Sequence, residues 1–474
     1  MPEKDTIVRT PLFSILICSL AADAAPSGPR EGPLTQPVAV VAEMIDRAED
    51  GEVLLVPAGR YEGNLTIQKS IILDGGGAAV FDGCGVGTVI DVLAEDVTIR
   101  GCTVRGSGAT VTGEPSAIRV SAPRATIESN TINDALFGID LREAPDSIIR
   151  ENRITCKDLE PGRRGDGIRL WWSHGSVIEG NHIRGSRDMV FWYSENLRVA
   201  RNTVSKSRYG LHFMYSHDTV LEENDLHDNS VGVYLMYSNR ITLRGNQMRN
   251  HRGASGYGIG LKDCDDISIV GNALLSNRVG VYIDNSPSSV DSTGLFDSNL
   301  IAFNEIGLLA TPNTHDNVFT SNAFIENEEP AATHGRGRLL SNAFSRDGVG
   351  NYWSDYTGFD LDGDGVGDMA YEPRSLFGAL LAKEPNLRLF IHSPAQQAVE
   401  FTARALPEVR PEPIFVDAAP LFSPPELVLE SSAPRGSGTA MALFTASLLF
   451  AAALGLTTLG VEQRLVTRQT GGRT

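Results

Sequence analysis

Two methionines stand at matching positions of two similar segments, RYGLHFMYSHD (208–218) and NSVGVYLMYSN (229–239). Aligning these segments on the Met-Tyr-Ser that they share places Met214 beside Met236, with His212 two residues before the first methionine. Thioether sulfur and imidazole nitrogen are donors that suit monovalent copper, and an exposed pair of methionines is unusual outside a core. One interpretation of the sequence is a surface that captures Cu(I) transiently. Its candidate ligands are His212, Met214, Met236, His217 and His174.

Phrases ending in Trp-Ser or Tyr-Ser recur in neighbouring segments and extend the alignment into three columns. Residues two apart on a strand share one face of the sheet. The first column contains Arg169, Val190, His212 and Tyr234, the second Trp171, Trp192, Met214 and Met236, and the third His174, Glu195, His217 and Asn239. Exposed aromatic side chains and methionines are also typical of surfaces that contact a partner protein. The residues assigned to such a partner surface are Trp171, Trp192, Tyr215 and Tyr237. Copper capture, partner contact and packing under a loop are all open interpretations of these columns.

The acidic stretch DLDGDGVGD (360–368) is a second group of residues that could do chemistry. Its aspartates occupy positions 1, 3, 5 and 9 of a DxDxDG loop, which is the spacing of oxygen ligands in calcium loops. These aspartates are Asp360, Asp362, Asp364 and Asp368. No glutamate stands at position 12, because Glu372 comes one residue later. The sequence predicts a structural calcium ion, and the alternative is a solvated acidic turn.

Carboxylates for catalysis form only a weak pattern. Polysaccharide-active β-helices use carboxylates together with arginine or histidine, although polar decoration of an outer sheet face explains such residues equally well. The aspartates concerned are Asp140, Asp166, Asp188, Asp263 and Asp284. A GxSxG elbow, a phosphate-binding loop and an HExxH helix are missing from the sequence. We therefore predict a protein that is not an enzyme, with a polysaccharide lyase or epimerase as the alternative.

A repeated phrase predicts the elements that must position these side chains. It consists of an asparagine, a small or polar residue and an apolar residue, and it recurs every 20–29 residues at Asn130, Asn152, Asn181, Asn202, Asn224, Asn246, Asn272, Asn299, Asn322 and Asn342. A period near 22 with alternating apolar residues is what one coil of a parallel β-helix needs. Asparagine tolerates left-handed backbone and can hydrogen-bond its counterpart one coil away. We predict an all-β fold, a right-handed parallel β-helix with an asparagine ladder, in which Cys102 takes the same position.

A second phrase opens with glycine, usually eight residues after the asparagine, as in GIDL at 138. It comes later in GIRL at 167 and GIGL at 258, because extra residues near 156–164 and 249–255 form loops outside a coil of fixed length. A leucine-rich horseshoe is the main rival for such a period. It needs LxxLxL before its asparagine, and that spacing is absent.

The two ends of the chain differ from the repeat. An apolar run closed by Ala-Asp-Ala at 22–24 is typical of a signal peptide. The uncharged stretch 439–461 is long enough to span a bilayer, and the arginines after it predict a cytoplasmic tail and an external body. The predicted organisation is a signal peptide over 1–24, an N-terminal cap with a helix over 38–59, the β-helix over 60–345, an Asp-rich calcium-like loop over 346–374, a C-terminal helical segment over 375–406, a Pro-rich linker over 407–438 and a single transmembrane helix over 439–461.

Charge and cysteine content restrict the partners and the redox chemistry. The formal net charge of -18 argues against nucleic acid or anionic lipid as the main partner, because both need a basic surface. The cysteines after the signal segment are Cys84, Cys102, Cys156 and Cys264. They allow one disulfide whose pairing the sequence does not choose, and no Cys/His spacing typical of zinc occurs.

Five segments resemble the NosD family of nitrous oxide reductase maturation proteins, and the likeness covers about residues 40–400. They are RYGLHFMYSHD (208–218), NSVGVYLMYSN (229–239), GYGIGLKDCDD (256–266), NRVGVYIDNSP (277–287) and GNYWSDYTGFDLDGDGVGD (350–368). The resemblance implies a periplasmic β-helix of the carbohydrate-binding and sugar-hydrolase type. It further implies a protein that works with an ABC transporter to assemble the copper-sulfur centre of nitrous oxide reductase.

The resemblance also implies partners. They are the membrane and ATPase subunits of the transporter, the reductase and a copper chaperone, and the cargo is copper or sulfur. The expected location is the periplasm, with the C-terminal anchor in the inner membrane. The family's copper ligands do not carry over residue by residue, so the candidate ligands rest on the column alignment.

Overall fold

The computed structural model describes residues 35–426, except Arg336, Ala382, His392 and Arg410. The chain forms an all-β parallel solenoid of the right-handed type with about 13 turns. Strands pair in parallel from turn to turn, as Ile168–Trp171 does with Asp188–Trp192. The predicted β-helix is therefore confirmed.

Each complete turn contributes strands to three faces. The first face contains Glu52–Leu55, the beginnings of Ile71–Asp82 and Thr98–Arg105, Thr126–Glu128, Ile148–Arg150, Val177–Glu179, Arg198–Ala200, Thr219–Glu222, Ile241–Arg244, Ser268–Val270, Gly294–Asp297 and Asn317–Thr320. The second face contains Thr35–Pro37, Gly59–Glu62, the ends of the same two long strands, Thr131–Ala135, Arg153–Cys156, His182–Arg184, Thr203–Ser205, Asp225–His227, Gln247–Arg249, Ala273–Leu275, Leu300–Ala302, Ala323–Ile325 and Tyr352–Trp353.

The third face is a separate twelve-stranded sheet, and it carries the candidate site. Its strands are Leu65–Ile67, Ile90–Val92, Ser116–Val120, Phe137–Arg142, Ile168–Trp171, Asp188–Trp192, Tyr209–Met214, Val231–Met236, Tyr257–Lys262, Val279–Asp284, Ile306–Ala310 and Glu329–Thr333. The helices are Ala39–Arg47, Leu376–Leu381 and Pro394–Ala405, with 3-10 turns at Val111–Gly113, Pro161–Arg163, Pro385–Phe390 and Pro407–Val409.

The core runs along the solenoid axis. Inward side chains at one register position stack from turn to turn, and Ile178, Val199 and Leu221 in one such file are fully buried. The rings of Phe191 and Phe213 stack with centroids 4.4 Å apart. A single turn buries little apolar surface by itself, so contacts between neighbouring turns supply the stability.

The asparagine ladder follows the corner between the first and second faces. The side chain of Asn202 accepts hydrogen bonds from the backbone N–H and the amide of Asn181, each at 3.0 Å. Its own amide donates to Asn224 at 3.0 Å. Cys102 stands at the start, where its backbone N–H donates to Asn130 Oδ1 at 3.0 Å. The ladder thus satisfies buried polar groups at this corner from turn to turn.

The prediction that Asn342 continues this ladder is wrong. Asn322 donates its backbone N–H to Asn351 Oδ1 at 3.1 Å, whereas Asn342 accepts from Asn317 at a different corner. The phrase SNAF occurs both at 321–324 and at 341–344, so the sequence pattern matched residue type and not position. The last turn needs 29 residues to return to the ladder corner.

The glycine of the second phrase marks a close approach between turns. A Cβ on Gly210 would lie 2.6 Å from the carbonyl oxygen of Gly232, and a Cβ on Gly232 would lie 2.5 Å from that of Gly258. No side chain fits at such distances, so the phrase must open with glycine.

Both ends of the solenoid are covered. The helix Ala39–Arg47 buries Val41 and Ile45 over the first turn. Strand pairing already begins at Thr35–Pro37, before the predicted cap 38–59, and continues at Glu52–Leu55 inside it. At the other end, Phe415 is fully buried and its ring lies 3.9 Å from that of Phe344, measured between centroids. Covering an end turn hides strand edges that would otherwise pair with other chains.

The described part of the predicted Pro-rich linker 407–438 also packs against the end of the solenoid. Asp417 accepts the backbone N–H of Asn351 at 2.8 Å and the indole N–H of Trp353 at 2.9 Å. A carboxylate thus ends the asparagine ladder. The predicted helical segment 375–406 contains the helices Leu376–Leu381 and Pro394–Ala405.

Three sequence predictions concern the termini and the cysteines. The predicted signal peptide (1–24) and transmembrane helix (439–461) lie outside the described residues. Among the residues that the structure does describe, no helix has the length and apolar character needed to cross a membrane. Cys84, Cys102, Cys156 and Cys264 are all free thiols, so the disulfide that the sequence allowed is not formed among them.

Candidate metal site

The outer face of the twelve-stranded sheet carries the side-chain columns. In the strand register Trp171 lies opposite Trp192, which lies opposite Met214, which in turn lies opposite Met236. Paired strands lie about 4.8 Å apart. His212 stands two residues before Met214 on the same strand, so its side chain shares this outer face. The structure therefore brings one imidazole and two thioethers together on two neighbouring turns.

His212 is buried although it lies on the outer face, with 5% of its surface exposed. Its ring packs edge-on against Tyr209 and Trp192, with centroids 4.9 and 6.4 Å away. Within the described chain Nε2 has no hydrogen-bond partner, whereas Nδ1 lies 3.4 Å from a carboxylate oxygen of Asp188. A buried polar group without a partner costs about 1–3 kcal/mol, so His212 is the side chain here that best fits a metal ligand.

Asp188 fixes the electrostatics beside His212. Its carboxylate is fully buried, pairs with Arg208 and lies 3.4 Å from His212 Nδ1. Burial acts to raise the pKa of Asp188, but interactions with His212 and Arg208 outweigh it and lower that pKa. The carboxylate is therefore ionised at neutral pH, and it favours a proton on Nδ1. This leaves the Nε2 lone pair as the donor to a metal.

Met214 and Met236 are partly exposed, in contrast to His212. Tyr234 lies beside the imidazole, with ring centroids 6.5 Å apart, and burial raises its pKa above the ordinary value. The phenol is therefore neutral. A buried imidazole with an accessible thioether edge suits a soft cation that must enter and leave.

His174 and His217 have a different role from His212. The Nδ1 atom of His174 accepts the backbone N–H of Glu195 at 3.1 Å, and that of His217 accepts the N–H of Asn239 at 3.1 Å. A neutral imidazole whose Nδ1 accepts a hydrogen bond carries its proton on Nε2, so it has no free lone pair for a metal. These histidines do not form a group of three ligands with His212 in the described chain.

A ridge of four stacked aromatic rings borders the columns, and we call it the aromatic ridge. Trp172, Tyr193, Tyr215 and Tyr237 stack in this order, with centroids 5.3, 5.2 and 5.0 Å apart. Each has a φ of 51 or 52°, a left-handed conformation that bulky residues rarely adopt. The sequence assigned Tyr215 and Tyr237 to the partner surface and missed Trp172 and Tyr193. The missed signal was their common position directly before the serine of each phrase.

The two tryptophans assigned to the partner surface differ in exposure. Trp171 is 39% exposed. Trp192 is half-buried, and its indole N–H has no hydrogen-bond partner among the described residues. Both lie in the column that continues into the methionines, so they widen the candidate site towards the earlier turns.

The Asp-rich loop brings three of its four predicted calcium ligands together. Carboxylate oxygens of Asp360, Asp362 and Asp364 lie within 4.8 Å of one another. Asp368 lies outside that group and accepts the backbone N–H of Leu361 at 2.6 Å. The same carboxylates also accept backbone N–H groups within the loop, for example Asp360 from Gly365 at 3.0 Å.

The buried aspartates weighed for catalysis are held by arginines. Asp140 pairs with Arg169 at 2.9 Å. Asp166 pairs with Arg187 at 3.1 Å, yet burial raises the pKa of Asp166 to about 7. The two remaining aspartates of this set, Asp263 and Asp284, lie on later turns. The arginine contacts explain Asp140 and Asp166 as buried charges that are partly balanced by neighbouring cations of the outer face.

Comparison with known proteins identifies the family. A family model described as "Periplasmic copper-binding protein (NosD)" matches residues 157–358. A Pseudomonas aeruginosa protein named "Probable ABC transporter binding protein NosD" is 33% identical over 401 residues, which cover 81% of this chain and 92% of that protein. The chain belongs to the NosD family. A second NosD relative of the same name, from Stutzerimonas stutzeri, is 31% identical over 437 residues, covering 89% of this chain and 96% of that protein.

Solved structures similar to this NosD-family chain include carbohydrate-active enzymes. The A-module of the Azotobacter vinelandii mannuronan C-5 epimerase AlgE6 is 14% identical with a TM-score of 0.49, covering 65% of this chain and 93% of its own. The catalytic domain of a GH87 α-1,3-glucanase is 14% identical with a TM-score of 0.48, and the match covers 70% of this chain and 71% of that domain. Similarities at this level carry no argument about the activity of the NosD-family chain.

Proposed function

We propose that this NosD-family chain is a periplasmic, non-catalytic accessory protein that captures copper on the outer face of its twelve-stranded sheet. The observation that carries the proposal is His212, a buried imidazole whose Nε2 has no hydrogen-bond partner among the described residues, next to Met214 and Met236 on adjacent turns. The description of the family as copper-binding supports the choice of metal. The soft donor set favours Cu(I) over divalent ions.

We also propose a wider role, which the resemblance to the family suggests. The chain works with the membrane and ATPase subunits of an ABC transporter and with a copper chaperone to assemble the copper-sulfur centre of nitrous oxide reductase, and it delivers copper or sulfur. The name of the two relatives supports the link to a transporter. A C-terminal anchor at 439–461 in the inner membrane belongs to the same proposal and would hold the solenoid beside the transporter.

The aromatic ridge and the tryptophan column supply the partner surface. Rigid aromatic side chains bury a large area at low conformational cost and are enriched in the centres of protein interfaces. The surface comprises Trp171, Trp192, Tyr215 and Tyr237 as predicted, together with Trp172 and Tyr193. It borders the candidate ligands, so a docked partner would cover the metal during transfer. The helical segment 375–406 is the proposed transporter-facing end.

Reductase maturation in cells tests this function. In a host that expresses the reductase and the transporter but lacks this chain, the wild-type gene is expected to restore the copper-sulfur centre and nitrous oxide reduction. The Met214→Leu/Met236→Leu variant is expected to restore less than about a tenth of that activity, because thioether ligation is lost. The Met369→Leu variant removes an exposed methionine elsewhere and should restore it fully. Full restoration by the double variant contradicts the proposal.

Calcium at the Asp-rich loop is a separate proposal with its own prediction. Three clustered carboxylates repel one another, so a bound Ca²⁺ should stabilise the end of the solenoid. Chelation with EGTA is expected to lower the melting temperature of the wild-type protein by about 2–5 °C. The Asp362→Asn/Asp364→Asn variant should melt lower and respond no further to EGTA. An identical melting curve for the wild type with and without EGTA would contradict calcium binding and support the alternative of a solvated acidic turn.

The polysaccharide lyase or epimerase is the alternative function. It requires a groove with an unpaired acid and base. Asp140, Asp166 and Asp188 are instead held by arginines, so the accessory role has the stronger support.

A further inference from the structure

A cleft of 770 Å³ lies beside the metal site, at the corner that leads into the twelve-stranded sheet. Its floor is formed by three consecutive short corners, which contain Ser186, Ser207 and Asn229. Its walls come from the two insertions in the repeat, near 156–164 and 249–255. Turns lie about 4.8 Å apart, so two projecting loops enclose a floor three turns wide. The size is that of a small-molecule site.

Cations converge in this cleft although the chain has a net charge of -18. The lining includes Arg164, Arg187, Lys206, Arg208 and Arg252, against Asp228 as its one carboxylate among the residues that the structure describes. Arg187 and Arg208 stand on the floor, where the buried Asp166 and Asp188 pair with them. Five positive charges therefore face three carboxylates in and behind the lining.

Three of these cations have no carboxylate partner within the described residues. Arg164 donates to the carbonyl oxygens of Leu159 and Lys206, at 2.8 and 3.3 Å, which ties the first wall to the floor. Arg252 donates only to the amide oxygen of Asn250, at 3.2 Å. Lys206 is exposed and forms no ion pair in the described part of the chain. Their remaining N–H groups are free to bind an anion.

The donors in the cleft match one class of ligand. Guanidinium groups bind oxyanions through paired N–H donors, and a lysine ammonium adds a point charge. The buried hydroxyls of Ser186 and Ser207 on the floor are hydrogen-bonded to each other at 2.9 Å, and that of Ser207 also lies 3.4 Å from the carbonyl oxygen of Ser205, so the cations are the main donors to a ligand. We propose that this cleft binds a small polyvalent oxyanion of the phosphate or sulfate class, a site that is separate from the copper surface and does not depend on it.

Calorimetric titration of the full chain with inorganic phosphate and with sulfate tests this site. Saturable binding is expected that persists in about 0.15 M sodium chloride, where diffuse charge attraction is largely screened. The Lys206→Ala/Arg252→Ala variant is expected to bind at least about tenfold more weakly, which corresponds to about 1.4 kcal/mol. Both residues are exposed, so the thermal unfolding curve of the variant should match that of the wild type.

The Arg153→Ala/Arg184→Ala variant is the matched control, because it removes two exposed arginines outside the cleft and changes the net charge equally. Its affinity for phosphate should equal that of the wild type. Absence of saturable binding, or an equal loss in the control, would overturn the proposal. Binding of poly-glutamate without binding of phosphate or sulfate would also overturn it. Competition by phosphatidic acid vesicles, but not by phosphatidylcholine vesicles, would identify a lipid headgroup as the source of the phosphate group. Absence of this competition would identify a free anion as the ligand.

Discussion

The Met214→Leu/Met236→Leu variant is expected to bind Cu(I) at least about 100-fold more weakly than the wild-type chain. Loss of a group that only orients a ligand weakens metal binding by about 10–100-fold, and these substitutions remove two proposed ligands. Leucine retains the size and apolar character of methionine, so the fold should persist. Competition with a chromophoric Cu(I) chelator under anaerobic conditions measures the affinity directly.

Matched variants separate ligation from general effects. Met369→Leu should leave the affinity unchanged, because Met369 is exposed and lies in the C-terminal segment. His212→Ala should weaken binding as the double methionine variant does. His315→Ala is its control, since His315 also lies beside an aspartate, 2.8 Å from Asp316, but outside the columns. Equal Cu(I) affinity in the wild type and the double methionine variant would remove the proposed site.

The second large effect is expected at the asparagine ladder. Asn202→Ala should lower the free energy of unfolding by about 3–5 kcal/mol, because it leaves buried polar groups without partners. The substitution removes four side-chain hydrogen bonds, with Asn181 twice and with Ile178 and Asn224 once each. Urea unfolding followed by circular dichroism measures the difference.

The control for the ladder is Asn313→Ala. Asn313 is exposed, and its amide donates to the side chain of Asn285, so its loss should change the free energy of unfolding by less than about 0.5 kcal/mol. A similar small change for Asn202→Ala would mean that the ladder contributes little to the stability of the solenoid.

The fold was largely predictable because a coil of nearly constant length must repeat the same side chains at the same corners. The asparagine and glycine phrases record a hydrogen-bonded corner and a close backbone approach, which are local requirements. The end of the solenoid was harder to predict. Because the phrase SNAF occurs twice, the sequence pattern placed Asn342 at the wrong corner. The burial of Phe415 and Asp417 in a proline-rich segment depends on contacts with residues some 70 positions earlier in the chain.

The candidate site was predictable only in part. Strand register follows from the repeat, so the columns of Met214 and His212 could be derived from sequence. The different roles of His212 and His217 could not, because they depend on whether a backbone N–H of the next turn meets the ring nitrogen. The basic cleft is a similar case. Its two insertions were visible in the sequence, but which cations lack an acidic partner is decided by the folded chain.

X-ray absorption of the Cu(I)-loaded full chain tests the central claim most directly. We expect a first coordination shell that contains both sulfur and imidazole nitrogen in the wild type. In the Met214→Leu/Met236→Leu variant the sulfur contribution should be lost. A first shell without sulfur in the wild type, or sulfur scattering that persists in the double variant, would contradict the account.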